Sequence, residues 1–316
     1  MRSLEALALA VADAVTVAVR PLLGDPAARV PHGWAPGGDA TLGIDEVAER
    51  EVDRLLLAAG DVATYSEDRG LVVHGRPRGI LVIDPVDGTR PAAAGLESAC
   101  VSVAVLPPRE DATLGEVEFG VVQELRSGTR FTAGRGRGAR AEAADGTPIA
   151  VRPSANADLA AMFWAVGTRG RPIRPVTAVL EHLIDGVAMH GGHFDLGSVA
   201  FDLTRIVTGQ LDAYVDVGRR IVDEVPATEP EFLRVGRGSI CANFPHDVAA
   251  AALILAEAGG VVTGADGRPL DDHPAVGSDR EYGLSVVAAG NRRLHRAILD
   301  EVDRGMIRLA GMDLRD

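Results

Sequence analysis

The sequence predicts a mixed fold, with an α+β first half and an α/β second half. Short β-branched apolar runs follow one another between residues 80 and 132, which is typical of antiparallel strands. After residue 153, apolar runs alternate with segments of helical periodicity. A chain of 316 residues is also long for one core, so we expect two lobes, 1–152 and 153–316, divided near a polar stretch at 153–158.

The first half begins with two predicted helices, at 4–20 and 44–59, separated by a Gly/Pro-rich loop at 31–43. Glu5 and Asp13 interrupt the apolar character of the first segment, which favours an amphipathic helix over a signal peptide. Because the chain lacks a run of about 18 uncharged apolar residues, we expect no membrane span. The strands predicted for one mostly antiparallel sheet are 80–83, 100–106, 116–123 and 129–132.

The second half has the alternation that indicates an α/β arrangement. Its predicted strands are 162–166, 212–216 and 284–288, and its predicted helices are 174–186, 197–209, 247–258 and 291–303. Near the end of the first half, glycine and arginine alternate at 135–138. No predicted helix follows this run, which favours a glycine turn over a nucleotide-binding loop.

Composition excludes several classes of function. A net charge of -13 argues against a nucleic-acid backbone as the main partner, although bound cations can still attract a small phosphorylated metabolite. The chain has no lysine, which excludes lysine Schiff-base chemistry and the lysine of a Walker-type loop. Two cysteines, Cys100 and Cys241, suffice for neither a disulfide framework nor a zinc cluster, and we expect both to pack as small apolar residues.

The most informative segment is 79–89, Gly-Ile-Leu-Val-Ile-Asp-Pro-Val-Asp-Gly-Thr. Its apolar run predicts a buried strand that ends in two carboxylates, Asp84 and Asp87, with the Gly88 and Thr89 amides facing an anion. Carboxylate oxygens at a strand end suit a hard divalent cation. The alternative is that Asp87-Gly88 is only a turn.

This segment resembles the signature of the inositol monophosphatase-like, magnesium-dependent and lithium-sensitive phosphatases, an apolar strand followed by Asp-Pro-(Ile/Leu/Val)-Asp-Gly-Thr. Ser66-Glu67-Asp68 resembles the Gly-Glu-Glu element of that family, and Asp45 its early helix-opening aspartate. Asp247, followed by a helical segment and Ala-Gly-Gly, resembles its last metal-binding aspartate. The resemblance runs in order from about residue 40 to 290.

The resemblance implies a layered αβαβα sandwich of the inositol monophosphatase and fructose-1,6-bisphosphatase type. It also implies two or three Mg²⁺ ions as cofactors. Glu67, Asp84 and the Val86 carbonyl would hold the first ion, and Asp84, Asp87 and Asp247 the second. Clustered carboxylates repel one another strongly without such an ion, which agrees with this assignment. For Asp247, the alternative role is a simple N-cap.

Catalytic roles are implied for Asp45, Glu67 and Thr89. The Thr89 hydroxyl, hydrogen-bonded to Asp45, would orient the attacking water. Alternatively, Thr89 only caps the following segment, and Asp45 is only a favourable acidic residue in the first turn of a helix.

Substrate contacts are implied at two places. The Gly88 and Thr89 amides would bind the phosphate, beside Arg90. Gly197-Ser198-Val-Ala resembles the Gly-(Ser/Thr)-Ala-Ala turn of the family, and Asp216 stands where a substrate-hydroxyl acceptor often stands. Ser198 could equally be an N-cap, and Asp216 a solvent-exposed strand end.

Three departures from the family pattern affect the choice of substrate. Arg90-Pro-Ala replaces the usual Thr-Asn-Phe, His246 replaces a Trp, and the segment 219–245 is long and rich in arginine. These arginines, at 219, 220, 234 and 237, would contact a second anionic group of the substrate or pair with acidic residues of an exposed loop.

The resemblance therefore implies a hydrolase, a phosphomonoesterase that acts on a small polyol, sugar or cyclitol phosphate. Alternatives are a phosphatase of 3'-phosphoadenosine 5'-phosphate, histidinol phosphate or another specialised metabolite, and a non-catalytic binding protein of the same fold. A cytoplasmic homodimer with no nucleic-acid or membrane partner is expected.

Overall fold

Two β-sheets alternate with three layers of helices in the computed structural model, which describes residues 3–34 and 40–312. The nine helices of this part of the chain are α1 (Leu4–Val19), α2 (Gly43–Ala59), α3 (Thr89–Ala94), α4 (Ile173–Gly186), α5 (Val199–Val207), α6 (Gly218–Glu224), α7 (Glu229–Val235), α8 (Pro245–Glu257) and α9 (Arg292–Ala310). A small hairpin, β1 (Pro31–Trp34) and β2 (Ala40–Leu42), occupies most of the predicted loop at 31–43, and residues 35–39 of that loop lie outside the described residues.

The first sheet has eight strands in the order β10-β9-β8-β7-β6-β5-β3-β4. They are β3 (Val62–Ser66), β4 (Gly70–His74), β5 (Ile80–Asp87), β6 (Cys100–Leu106), β7 (Phe119–Glu124), β8 (Arg130–Gly134), β9 (Ala139–Glu142) and β10 (Pro148–Ile149). Every neighbouring pair is antiparallel except β3 and β5, which confirms the predicted mostly antiparallel sheet. The strand predicted from residue 116 begins only at 119, because 114–116 form a 3₁₀ turn.

The second sheet is mixed and has five strands in the order β12-β11-β13-β15-β14. They are β11 (Phe163–Val166), β12 (Gly192–Phe194), β13 (Ala213–Val215), β14 (Val261–Gly264) and β15 (Val286–Ala289). The parallel pairs β11–β12 and β11–β13 are joined by helical connections, as parallel strands require.

Apolar side chains on both faces of each sheet produce five layers. β6 shows why: Val101, Val103 and Val105 pack in a core with α1 and α2, whereas Cys100 and Ala104 pack in a second core with α5 and α8. Alternate residues of a strand point to opposite faces, so a strand covered on both sides is apolar throughout. A third core joins the outer face of the second sheet to α4 and α9. This order of layers, αβαβα, confirms the predicted fold class.

The Arg135–Gly138 turn binds a carboxylate of the chain itself. The amides of Gly136 and Gly138 each donate to the Glu257 carboxylate at 2.7 Å. Successive backbone amides in a glycine turn form a small anion-binding concavity, and a residue at the end of α8 fills it here. The predicted turn is confirmed.

Two helical segments differ from the predictions. The stretch at 219–245, considered as an exposed loop, contains α6 and α7. The last helix extends to Ala310 instead of 303, because Met306 and Leu309 continue its buried face. None of the described helices is long and apolar enough to cross a membrane, in agreement with the sequence.

Candidate active site

An irregularity in β5 places Asp84 and Asp87 on the same side of the first sheet. Residues three apart in a regular strand point to opposite faces. Here Asp84 is paired with Ser102 and Asp87 with Cys100, so three steps along β5 correspond to two along β6. The extra residue is a β-bulge, and it turns the second carboxylate to the side of the first. Asp84 is 2% exposed and Asp87 is 7% exposed.

The third aspartate comes from the first turn of α8. Asp247 Oδ2 accepts a hydrogen bond from the Phe244 amide at 2.6 Å, which caps the helix and fixes the side chain. Oxygen atoms of Asp84, Asp87 and Asp247 all lie within 4.8 Å of one another. Phe244 is the N-cap of α8, so the alternative of a simple N-cap is wrong, and Asp247 instead bonds back to the N-cap amide from the first turn.

Burial and mutual repulsion make this cluster unfavourable as bare anions. Burial raises the pKa of Asp84 well above its ordinary range, and the charges of Glu67, Asp87 and Asp247 raise it further. Burial beside Asp247 raises the pKa of Asp87 to about 7, although hydrogen bonds from Ser198 and Ala200 oppose this shift. A divalent cation reverses both effects, and three carboxylates are the hard oxygen donors that Mg²⁺ prefers. The donor set therefore fits this ion.

Two other predicted ligands lie beside the cluster. Glu67 is half-buried, and its charge is the second-largest cause of the Asp84 shift, although it does not belong to the group of three within the described residues. The Val86 carbonyl accepts from the Thr89 hydroxyl at 3.1 Å, and the Val86 amide donates to Asp84 Oδ1 at 3.0 Å. Both residues stay predicted ligands.

The hydrogen bond predicted between Thr89 and Asp45 is present. Thr89 Oγ1 lies 3.1 Å from Asp45 Oδ1 and 3.1 Å from the Val86 carbonyl, and its single proton can serve only one acceptor at a time. Asp45 Oδ2 meanwhile accepts from the Leu42 amide at 2.7 Å, so Asp45 also acts in the first turn of α2. The N-cap of α3 is Gly88 rather than Thr89.

Gly88 permits the tight connection from β5 to α3. Its φ of +89° is in the left-handed region, which residues with a Cβ disfavour. A Cβ at this position would lie 2.6 Å from the Ser98 carbonyl oxygen and 3.0 Å from Ser198 Cβ. The chain therefore requires glycine here, and the requirement keeps the Gly88 and Thr89 amides close to α5. Phosphate binding by these amides and by Arg90, which is exposed, stays a prediction.

Ser198 is held by protein contacts at the start of α5. Its hydroxyl lies 2.7 Å from Asp87 Oδ2, to which it donates, and it accepts from the Phe201 amide at 3.2 Å as an N-cap. The Ala200 amide also donates to Asp87 Oδ2 at 2.7 Å. The alternative N-cap role is thus observed, and Ser198 and Gly197 both line the adjoining cleft.

Asp216 is completely buried, so the alternative of a solvent-exposed strand end is wrong. It forms a close ion pair with Arg171 and accepts from the Gly218 amide at 2.8 Å and from Asn243 Nδ2 at 2.7 Å. These contacts place it behind Arg171 and Asn243, which line the cleft. As a substrate-hydroxyl acceptor, Asp216 stays a prediction that these protein partners disfavour.

The cleft beside the aspartates encloses about 460 Å³, including open solvent at its mouth. Sequence reasoning missed most of its polar wall, which comprises Arg169, Arg171, Asp195, Asp202, Tyr214 and Asn243. The signal that could have found part of it is Gly-Thr-Arg-Gly-Arg, which follows β11 directly. Loops at strand ends commonly form binding sites, particularly where glycine and arginine occur together.

The arginines of 219–245 pair mostly with neighbouring acids. Arg219 binds Asp223 at 2.8 Å and Arg220 binds Glu224 at 2.8 Å, both one helical turn apart. Similarly, Arg234 and Glu231 lie 3.0 Å apart. Arg219 and Arg220 line a separate groove with Leu284 and Ser285. These ion pairs favour the alternative that the three arginines pair with acidic residues, and a substrate contact through them stays a prediction. Cys241, Ala242 and Asn243 are the residues of the segment that line the cleft beside the aspartates.

His246 forms part of the wall beside Asp247. Its ring stacks between Phe244 and Tyr65, with centroid distances of 5.7 Å and 6.3 Å. His246 Nε2 lies 3.4 Å from Asp247 Oδ1, and burial lowers the pKa of the ring. An apolar sandwich thus holds a polar ring next to the cluster.

Comparison with known proteins relates the chain to one family. Residues 39–306 match the profile described as the inositol monophosphatase family. The chain is 30% identical over 305 residues to a Methanothermobacter thermautotrophicus protein named fructose-1,6-bisphosphatase/inositol-1-monophosphatase, covering 94% of this chain and 95% of that relative. It is 27% identical over 223 residues to inositol monophosphatase 1 of Homo sapiens, covering 70% of this chain and 65% of that relative.

A solved structure shares the fold. The crystal structure of the extragenic suppressor protein suhB from Bartonella henselae superposes with a TM-score of 0.71 at 20% identity. The superposition covers 96% of this chain and all of the other. At that identity, the likeness concerns the fold alone.

Proposed function

Because this chain belongs to the inositol monophosphatase family, whose members are phosphatases, we propose that it hydrolyses a small polyol, sugar or cyclitol phosphate in a Mg²⁺-dependent reaction. The observation that supports this most directly is the buried cluster of Asp84, Asp87 and Asp247. The carboxylate oxygens lie within 4.8 Å of one another, and burial together with the neighbouring charges raises the pKa values of Asp84 and Asp87 unless a cation joins the group. A non-catalytic binding protein would have no reason to keep such a cluster.

Two or three Mg²⁺ ions would be held by the predicted ligands Glu67, Asp84, Val86, Asp87 and Asp247. When bound, they would neutralise charge on the phosphoryl group and make a water more acidic. The protein itself orders the reactants. Thr89, with its proton directed to Asp45, presents oxygen lone pairs that accept a hydrogen bond from the attacking water. The Gly88 and Thr89 amides donate to phosphoryl oxygens, and the alcohol part of the ester occupies the cleft.

Arginine in the cleft wall supports the alternative class of substrates that have a second acidic group. Arg169 lines the cleft, and its charge lowers the pKa of Asp87, so it lies near the aspartates. Such substrates include 3'-phosphoadenosine 5'-phosphate and sugar bisphosphates, and the name of the archaeal relative includes a bisphosphatase. Histidinol phosphate is a further alternative. Homodimer assembly and a cytoplasmic location are proposed from the family resemblance alone.

A phosphate-release screen tests the proposal. The purified protein is incubated with a panel of phosphate monoesters, with Mg²⁺ or with excess chelator, and inorganic phosphate is measured. We expect Mg²⁺-dependent release from polyol or sugar phosphates, and loss of release in the Asp84→Asn variant. Full turnover in chelator would contradict the metal assignment, whereas activity only on nucleotide or bisphosphate substrates would favour the alternative class.

A further inference from the structure

Asp202 is a buried carboxyl group in the cleft wall, and neither the metal cluster nor the packing of the fold explains why it is there. Asp202 lies on α5 and is 1% exposed, and it lines the same cleft as Asp87. No protein donor among the described residues is within hydrogen-bond distance of its Oδ1. A buried polar atom without a partner is unfavourable, so such atoms in native proteins usually bind a ligand or water.

Asp202 lies on the helix whose N-terminus contacts the metal cluster. The Ala200 amide, two residues earlier on α5, donates to Asp87 Oδ2 at 2.7 Å. The N-terminus of α5 is thus fixed against the metal cluster, and Asp202 follows within the same helical turn. Asp87 and Asp202 also line the same cleft, and the Asp87 charge is the largest that acts on Asp202, so a substrate group bound at Asp202 lies beside the reacting end.

The charge around Asp202 determines what kind of group it can bind. Burial raises the pKa of Asp202 well above its ordinary value, and the charges of Asp87 and Asp195 raise it further, whereas the smaller effect of Arg205 lowers it. A protonated carboxyl both donates and accepts hydrogen bonds, as an alcohol does. A second phosphate at this point would meet three carboxyl groups, so a neutral hydroxyl is the better partner.

Asp216, which the family resemblance predicts as the acceptor of a substrate hydroxyl, already binds other groups of the protein. Asp216 is 0% exposed, and Arg171, Asn243 and the Gly218 amide are bound to its oxygens. Asp216 does not line the cleft, whereas its partners Arg171 and Asn243 do, so a substrate hydroxyl could reach it only if these side chains moved aside. Asp202 needs no such rearrangement.

We propose that Asp202, rather than Asp216, is the carboxyl group that receives a substrate hydroxyl next to the scissile ester. This assignment depends on the proposed phosphatase function and narrows it to esters that have a hydroxyl on the carbon chain beside the phosphate. Asp202 is accordingly a substrate-binding residue that selects among esters, and the metal cluster acts on the phosphoryl group that all of them share.

Two esters with the same carbon skeleton test the proposal. Glycerol 2-phosphate has hydroxyls on both flanking carbons, and isopropyl phosphate has none. In the Asp202→Leu variant, we expect kcat/KM for glycerol 2-phosphate to fall on the order of 10- to 100-fold, as loss of a hydrogen bond in a buried site predicts, with a clearly smaller fall for isopropyl phosphate. Asp202→Asn retains donor and acceptor atoms, so it should recover part of the loss. Asp300→Asn, on the exposed face of α9, is the control.

Each other outcome has a defined meaning. Equal falls for both esters would assign Asp202 a structural role, and no fall for glycerol 2-phosphate would remove it from the substrate site. Thermal unfolding of both variants checks the fold. If the wild type hydrolysed neither ester with Mg²⁺, the proposed function would fail. Calorimetric binding of the same two esters would then decide the present proposal, which requires a preference for glycerol 2-phosphate that Asp202→Leu removes.

Discussion

Replacing Asp87 with asparagine should stabilise the metal-free protein while abolishing its activity. Burial and the neighbouring Asp247 raise the pKa of Asp87 from 3.8 to about 7. The native state therefore holds a proton that the unfolded chain releases, so this group lowers stability as pH rises from about 4 through 7. Asp87→Asn removes the penalty, and the amide oxygen can still accept from Ser198 and the Ala200 amide.

The size of the effect follows from the shift. A difference of about 3 pKa units at about 1.4 kcal/mol each sets a ceiling of about 4 kcal/mol at pH 8. The same relation reduces the ceiling to about 2 kcal/mol at pH 5, where the unfolded state retains more protons. Weaker hydrogen bonds to a neutral acceptor subtract about 1 kcal/mol, so we expect a gain of about 2–3 kcal/mol at pH 8.

Saturating Mg²⁺ should make the wild type more stable than Asp87→Asn. Wild type gains free energy from binding, about 4.1 kcal/mol at 1,000 times Kd, which exceeds the advantage of the variant, whereas the variant has lost a ligand charge and should gain little. Urea unfolding followed by circular dichroism measures the free energy of unfolding of wild type and variant. It is done at pH 5 and pH 8, each in chelator or in Mg²⁺, with Asp300→Asn as an exposed control. A variant less stable than wild type in chelator at pH 8, or equal stabilisation of both by Mg²⁺, would refute the reasoning.

Three further predictions concern other parts of the site. Thr89→Ala should lower kcat on the order of 100-fold with little change in KM, because the hydroxyl acts on water rather than on substrate; an unchanged kcat in steady-state assays would leave it a structural role. Burial raises the pKa of Glu49 to about 7. The protonated Glu49 side chain therefore contributes to stability below pH 4.5, and this contribution is lost as pH rises through 7. Glu49→Gln should therefore raise the urea midpoint at pH 8 but not at pH 4, and a pH-independent difference would contradict this. Gly88→Ala should lower the thermal midpoint by several degrees in calorimetry, because its Cβ would lie 2.6 Å from the Ser98 carbonyl oxygen. An unchanged midpoint would show that the turn can relax.

The sequence by itself determined the features that depend on neighbouring residues. The segment 79–89 predicts a buried strand that ends in two carboxylates, because Pro85 and Gly88 limit the backbone locally. Helix α1 is predictable in the same way, from its apolar periodicity and its capping serine, Ser3. Asp45 and Asp247 are recognisable as acidic residues at helix starts, since capping is a contact within one turn.

Only the tertiary structure decided which of these side chains lie together in the site and which are already bound by other groups of the protein. A bulge defined by pairing with β6 turns Asp87 toward Asp84, and no pattern within β5 encodes that pairing. Arg171 pairs with Asp216 across 45 positions of sequence, so the predicted hydroxyl acceptor already has a buried protein partner. Within the part of the chain that the structure describes, Asp202 Oδ1 has no hydrogen-bond partner. Periodicity and capping depend on contacts within a few residues, so the sequence predicts them. The protonation state and the unused hydrogen-bonding capacity of a buried side chain depend on distant segments that packing brings together.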